Sequence, residues 1–287
     1  MRRLLHPHAG AERCAVISRI SRYNPRGMLD TTFQPFAVSN DLLNDPPALR
    51  GRLAEDGYLF FRGLGPKQKI LCARHDVLKL CRDAGWCDLE GKWSGAGPFT
   101  EGDKEYMAVY RHVIKLPSFL AVPEDPVFLD LAAKIIDGPA MLHRLRIGRI
   151  TFPNNTGQTT GAHQDHWYIR GTPQTYTIWI PLGDCPLALG GLAILPRSHQ
   201  RGFIEHGFDA SKKYAGHGLA DDQIASPDSD WVAGDFEVGD FLLFHSYTIH
   251  KALPNRTPDR LRISTDNRYQ REGEAIADLS KGTHYNL

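Results

Sequence analysis

Apolar residues recur at two different spacings along this chain, and the spacing changes near residue 139. Upstream, Pro46 to Asp56 reads as a short helix, with proline near its start and Gly57 at its stop. Tyr58-Leu59-Phe60-Phe61, ended by Gly63 and Gly65, predicts a strand. Pro66 opens a longer helix through about Ala84, on which Ile70, Leu71, Val77, Leu78 and Cys81 fall at helical spacing. Residues 85–103 are rich in glycine and carry Trp86 and Trp93, which predicts a loop. Helices are predicted again from Lys104 to Ile114 and from Asp125 to Ile136, the second stopped by Gly138-Pro139.

Beyond Pro139 short apolar runs are punctuated by Gly, Pro and Asn. They predict strands at 140–153, 165–170, 175–183, 191–195, 240–245, 247–252 and 260–270. Short strands in series, without helices between them, indicate an all-β sandwich or barrel. No linker rich in Ser, Gly or Pro separates the helices from the strands. The expected fold is therefore mainly β with flanking α: a double-stranded β-helix (jelly-roll, cupin-like) core, with the N-terminal helices packed on its outer sheet. Residues 203–234 are too long for a plain connection and predict a lid over a site.

Hydrophobic content of 41% and charged content of 23% are ordinary for a globular domain. A net charge of +1 gives no electrostatic reason to expect a nucleic-acid or membrane partner. No apolar run approaches the roughly 20 residues that span a bilayer. Six arginines and a single acid make residues 1–27 basic. This stretch reads either as an organelle transit peptide or as a product of an upstream start, with Met28 the true one. It is expected to lack a packed structure, leaving 28–287 as a single domain. The five cysteines contain no Cys-x-x-Cys pair, and Cys72, Cys81 and Cys87 are irregularly spaced. This predicts reduced, mostly buried thiols in a cytoplasmic protein and argues against a zinc cluster.

The candidate chemistry lies in His163-Gln164-Asp165, followed far downstream by His250 and then by Arg262-Ile263-Ser264. Two imidazoles and one carboxylate on one face of a metal leave three positions open, as a non-haem Fe(II) oxygenase requires. The triplet alone is weak, because 13 His and 33 acids in 287 residues are expected to produce roughly 1.5 by chance. If His163 and Asp165 begin a strand, their side chains share a face. His245 and His166 compete as ligands. His250 is preferred because it stands near a strand end, before Pro254-Asn255. Arg262 and Ser264 share a face of the last strand, and a buried arginine there needs an anionic partner. A planar guanidinium grips a carboxylate by two hydrogen bonds, which suits the far carboxylate of 2-oxoglutarate. Arg260 has the same parity and stays open as the alternative. On an exposed sheet the same arginine would simply pair with Asp266 or Asp240.

From about Glu55 to Gln270 the chain resembles the phytanoyl-CoA dioxygenase family of Fe(II)/2-oxoglutarate oxygenases. The resemblance rests on Glu55 through Arg62, on His163-Gln164-Asp165, on Thr177-Ile178-Trp179-Ile180-Pro181-Leu182 and on Gly190 through His199. It continues in Gly239-Asp240, in Phe244-His245 and in His250. Gly190 stands where the family usually has Asn, and Arg197 where it usually has Gly. The stretch from His250 to Arg262 is about one residue longer than in many members, which keeps Arg260 open. The resemblance implies Fe(II) on His163, Asp165 and His250, with 2-oxoglutarate and O2 as co-substrates. It also implies that Arg262 with Ser264, or Arg260, anchors 2-oxoglutarate, and that Trp179 lines the same pocket.

Retention of Asp165 implies hydroxylation rather than halogenation. The expected substrate is a small organic molecule, a secondary-metabolite or lipid-like acid, oxidised with release of succinate and CO2. Trp167, Tyr168, the loop 85–103 and the insertion 203–234 are the expected places for substrate contacts. The rival reading is a metal-binding cupin-type isomerase or scaffold that does not use 2-oxoglutarate. The sequence does not address the oligomeric state.

Overall fold

Helix α1 (Pro46–Asp56) forms where proline, aspartate and glycine punctuate the chain. Asp45 caps it by accepting from the Ala48 N–H, and Pro46 sits in the first turn, where its missing N–H leaves nothing unsatisfied. Gly57 ends it in the left-handed region at φ 79° and passes the chain into β1 (Tyr58–Phe61). The computed structural model describes residues 33–154, 159–208, 217–227 and 230–286. The basic stretch 1–27 lies outside the described residues.

Helices α2 (Lys67–Asp83) and α3 (Lys104–Val113) follow the predicted spacing, with a loop over 85–103 between them. A five-residue α4 (Pro117–Ala121), too short to show a helical period, precedes α5 (Pro126–Ile136). Next come β2 (Ala140–Thr151), α6 (Asp165–Ile169), β3 (Tyr176–Pro181) and β4 (Leu192–Ile194). The described parts of 203–234 hold β5 (Gly207–Phe208), β6 (His217–Gly218) and α7 (Asp221–Ile224). Strands β7 (Phe241–His245), β8 (His250–Ala252) and β9 (Arg262–Arg271), then α8 (Asp278–Lys281), complete the order.

One sheet has five antiparallel strands in the order β1-β7-β3-β9-β2. A smaller one pairs β4 with β8 and is widened by single bridges, His163 beside His250 and Val232 beside Ile194. The larger sheet is buried on both faces, which is why its strands read as continuous apolar runs. Leu59, Phe61, Ile178, Ile180, Phe241 and Leu243 pack against Leu49, Ile70, Val77 and Phe128 of the helices. Their alternates Tyr58, Phe60, Trp179, Leu242 and Phe244 pack against Leu192, Ile194 and Val232 of the smaller sheet. The protein is thus mainly β, with its N-terminal helices on the outer face of the larger sheet.

One expectation needs correction. Residues 165–170 do not form a strand: they are α6, one short turn ended by Arg170 at φ 49° and Gly171 at φ 79°. Asp165 supplies the acid that favours a helix start, and the left-handed pair Arg170-Gly171 prevents an extended continuation. Among the described residues Cys81, Cys87 and Cys185 are buried and free. Arg197 sits in the left-handed region at φ 63° and pairs with Glu55. Among the described residues no helix is long and apolar enough to cross a membrane.

Gly57 and Gly51 should respond oppositely to alanine. A methyl group at Gly57 would meet the His199 ring and the Thr248 hydroxyl, on a backbone at positive φ. Gly57→Ala is expected to destabilise by about 2 kcal/mol. Gly51 lies inside α1 with open space around it, so Gly51→Ala should stabilise by up to about 1 kcal/mol. Urea unfolding of the two variants checks both signs.

Candidate metal centre and its cavity

His163 and His250 are drawn together by the backbone. Each donates its N–H to the other's carbonyl at 3.0 Å, and this reciprocal pair sets their rings side by side with centroids 4.1 Å apart. His250 opens β8 rather than ending it, because the chain turns at Ser246–Ile249 and moves from the larger sheet to the smaller one. Asp165 does not reach the imidazoles by sharing a strand face with His163. The chain leaves the bridge at His163, passes through an extended Gln164 and begins α6 at Asp165. Asp165 Oδ1 then lies 3.8 Å from Nε2 of both His163 and His250.

Gln164 braces this turn. It is wholly buried, donates to the carbonyls of Gly202 and Tyr247 and accepts from the Ile204 N–H, while its own N–H donates to His206 Nε2. The head of the 203–234 insertion therefore supports the site from behind. Among the described residues, no residue of that insertion lines the cavity.

The ligand atoms are in the right protonation state for a cation. Nδ1 of His163 is 2.8 Å from the Gly161 carbonyl and Nδ1 of His250 is 3.0 Å from the Thr248 carbonyl. A carbonyl only accepts, so each Nδ1 carries the hydrogen and each Nε2 keeps its lone pair. Burial, reinforced by the neighbouring His250, pulls His163 down to about 3, and burial also lowers His250. Burial alone would raise Asp165. The Arg268 guanidinium, the two imidazoles and the Thr177 hydroxyl outweigh it and hold the carboxyl below the usual range. Two neutral imidazoles and a carboxylate, with donor atoms all within 4.8 Å of one another, fit one divalent ion.

The three residues open into a cavity of about 740 Å³. Trp179 and Arg262 line it. Arg262 is buried, donating to Ser264 Oγ and Thr151 Oγ1 at 2.7 Å each, and its Nε has no partner. Among the described residues it has no ion pair with a carboxylate. Asp266 and Asp240 are engaged by Arg149 and Arg62 instead. Ser264 does not face the cavity but braces the guanidinium. Arg260 is half-buried outside the cavity, its backbone bridged to Lys92. His245 and His166 are likewise elsewhere: His245 packs on Tyr176 and Tyr247, and His166 on Phe203 and Tyr247.

Tyr168 lines the cavity, edge-on to His163, whereas Trp167 stacks on Phe203 beneath Arg170. Glu101 and Gly102 bring the 85–103 loop to the wall. Sequence reasoning missed Leu279, His284 and Tyr285, which complete the wall from the C-terminal segment. No period or motif marked them. It also missed Arg268, which alternates with Arg262 along β9 and whose role needed the partner strand to become visible.

A cavity that turns two neutral imidazoles and one carboxylate toward a single point has the ligand set that suits a mononuclear non-haem iron site. Residues 53–264 match the phytanoyl-CoA dioxygenase (PhyH) family, and the chain belongs to that family. It is 28% identical over 252 residues to the 1-deoxypentalenic acid 11-beta-hydroxylase of Streptomyces arenae, covering 83% of this chain and 86% of the relative. Its fold is similar to that of the epimerase SnoN, solved with Fe3+, alpha ketoglutarate and nogalamycin RO. That likeness has a TM-score of 0.59 and 19% identity, over 79% of this chain and 84% of the other. It is similar too to the alpha ketoglutarate dependent carbocyclase SnoK from nogalamycin biosynthesis (TM-score 0.56, 20% identity, 83% of this chain and 87% of the other).

Gln164→Leu removes the brace between two candidate ligand residues while keeping volume. The variant should bind Fe(II) about tenfold or more weakly in anaerobic titration, since outer partners of metal ligands typically carry that much.

Proposed function

We propose that this protein is a hydroxylase that uses Fe(II), 2-oxoglutarate and O2 to place one oxygen atom in an unactivated C–H bond of a small organic molecule. The observation that carries the reading is Arg262: a buried guanidinium with no carboxylate partner among the described residues, in the same cavity as His163, Asp165 and His250. Such a charge is costly unless a ligand completes it. A dicarboxylate co-substrate anchored there and directed toward the metal would do so. The two facing sheets are read as the walls of a double-stranded β-helix.

His163, Asp165 and His250 would hold the ion. Iron(II), when bound, supplies the activation of O2 that couples conversion of 2-oxoglutarate to succinate and CO2 with oxidation of the substrate. The chain's own residues bind, orient and exclude water. Gly161 and Thr248 carbonyls fix the imidazoles with Nε2 inward. Arg262, steadied by Ser264 and Thr151, binds the distal carboxylate, beside a recess of about 40 Å³ that Thr151 and Tyr106 also line. Trp179, Phe244 and Leu192 form an apolar wall. Leu145, Ile147 and Ile169, with Tyr168, offer apolar and aromatic surface for the substrate.

The cavity volume suits a small molecule. The named substrate of the Streptomyces relative motivates a small organic acid as the class. A cupin that ignores 2-oxoglutarate is not favoured, because it leaves Arg262 without a purpose.

Anaerobic addition of Fe(II) and then 2-oxoglutarate should produce a visible metal-to-ligand charge-transfer band that needs both. His163→Ala should abolish iron binding. Arg262→Ala should keep iron and weaken 2-oxoglutarate at least about tenfold, the scale of a lost charge-assisted pair. A wild-type protein that binds iron without the band would overturn the 2-oxoglutarate assignment.

A further inference from the structure

Asp165 is held from both sides, and the two sides do different things. Thr177 on β3 and Arg268 on β9 are direct cross-strand partners, so both side chains rise from one point of the larger sheet. They meet at the same carboxylate. Oδ2 accepts from the Thr177 hydroxyl, from Arg268 Nε at 3.3 Å and from Arg268 Nη2 at 3.0 Å. Among the described residues Oδ1 accepts only from Arg268 Nη2, at 3.0 Å, and faces both imidazoles. All three residues are buried, and Arg268 Nη1 is tethered to the Asp266 carbonyl. The lone pairs of Oδ2 are thus used by the protein, while Oδ1, with one shared donor, keeps a lone pair for a metal.

We propose that Arg268 and Thr177 are positioning residues that restrict Asp165 to one-oxygen ligation, and so keep open a coordination position that a chelating co-substrate needs. The inference rests on the reading of His163, Asp165 and His250 as the iron ligands. A carboxylate free to bind through both oxygens would take a fourth position and leave two where a chelating 2-oxo acid and O2 need three. Simple charge balance for a buried Asp165 asks only for a cation nearby. It does not ask for three donors on one oxygen, two from a planar guanidinium and one from a hydroxyl of the adjacent strand, against a single shared donor on the other. Arg268 also lies beyond residue 264, where the family match ends, so the clamp is read from this chain's own geometry.

Arg268→Lys keeps the charge and removes the fork, and Thr177→Val removes the hydroxyl with little change of shape. Each would be titrated anaerobically by calorimetry with Fe(II), and each iron-loaded form then with 2-oxoglutarate and with oxalate. Oxalate chelates through two oxygens and has no distal carboxylate for Arg262. The expected result is iron binding within about threefold of wild type, with 2-oxoglutarate and oxalate both weakened about tenfold or more in Arg268→Lys. Thr177→Val should shift both in the same direction by a smaller factor. Arg262→Ala, the control, should weaken 2-oxoglutarate and leave oxalate unchanged. Oxalate binding unchanged in both clamp variants overturns the inference. So does weakening of iron and oxalate in step, the mark of a merely structural role. A wild-type protein that binds no iron defeats the functional reading instead. Should Arg268→Lys fail to fold, Thr177→Val decides, and unaltered oxalate binding there overturns the inference.

Discussion

A negative charge sealed between two sheets is the constraint on which the rest depends. Asp165 is almost wholly buried, and a carboxylate taken out of water is costly unless it is paired and hydrogen-bonded. Here the compensation is divided. The larger sheet provides Arg268 and Thr177, and the smaller one provides the two imidazoles that face Oδ1. For this to hold, β3 and β9 must pair in one register, β8 must sit beside the residue before Gln164, and the chain must turn sharply into α6. A one-residue slip between β3 and β9 would turn Arg268 toward the helices and strand the carboxylate.

The same register explains why one strand face is polar inside an otherwise apolar protein. Arg262, Asp266 and Arg268 alternate along β9 and line the cavity, while Ile263 and Tyr269 pack into the helical core. Their opposite numbers on β2 include Thr151, which faces Arg262 across the strands and accepts from its guanidinium. Arg149 joins Asp266 to Glu101, so the wall carries linked charges rather than isolated ones. Within that network Arg262 stands apart, braced by two hydroxyls and, among the described residues, paired with no carboxylate.

Much of this was legible in the sequence because it depends on local rules. Proline and glycine marked the ends of α1 and α5, and alternation marked β9. The triplet at 163–165 with His250 and Arg262 named four residues that the fold brings to one cavity. The geometric argument for the triplet was nonetheless mistaken. Asp165 begins a helix, and a two-residue spacing cannot distinguish a shared strand face from a sharp turn that reaches the same point. Ser264 was placed on the right face but given a direct role, whereas it steadies Arg262. Arg268 and Thr177 could not be paired from sequence, because their meeting is a consequence of strand register across more than ninety residues. The wall at Leu279, His284 and Tyr285 was invisible for a related reason: a short tail carries no period from which to read a face.

Where the wall residues come from separates two kinds of work. Strand residues, or residues locked to strands by backbone bonds, hold the candidate ligands and Arg262. The outer wall is different. Glu101 comes from the 85–103 loop, accepts from Tyr285 of the C-terminal segment at 2.6 Å and pairs with Arg149 beneath. His284 is tied to Tyr110 at 2.6 Å, so the tail is stitched to α3 as well as to the loop. These contacts involve few residues and no ladder of backbone bonds, unlike the register that fixes Asp165. Loops and tails on a rigid scaffold tolerate change that the scaffold does not. The segment lies beyond residue 264, outside the family match, while His163, Asp165, His250 and Arg262 lie within it. Chemistry held by paired strands and an outer wall built from a loop and a tail can therefore vary independently, so substrate choice can shift without disturbing the charge on which the fold rests.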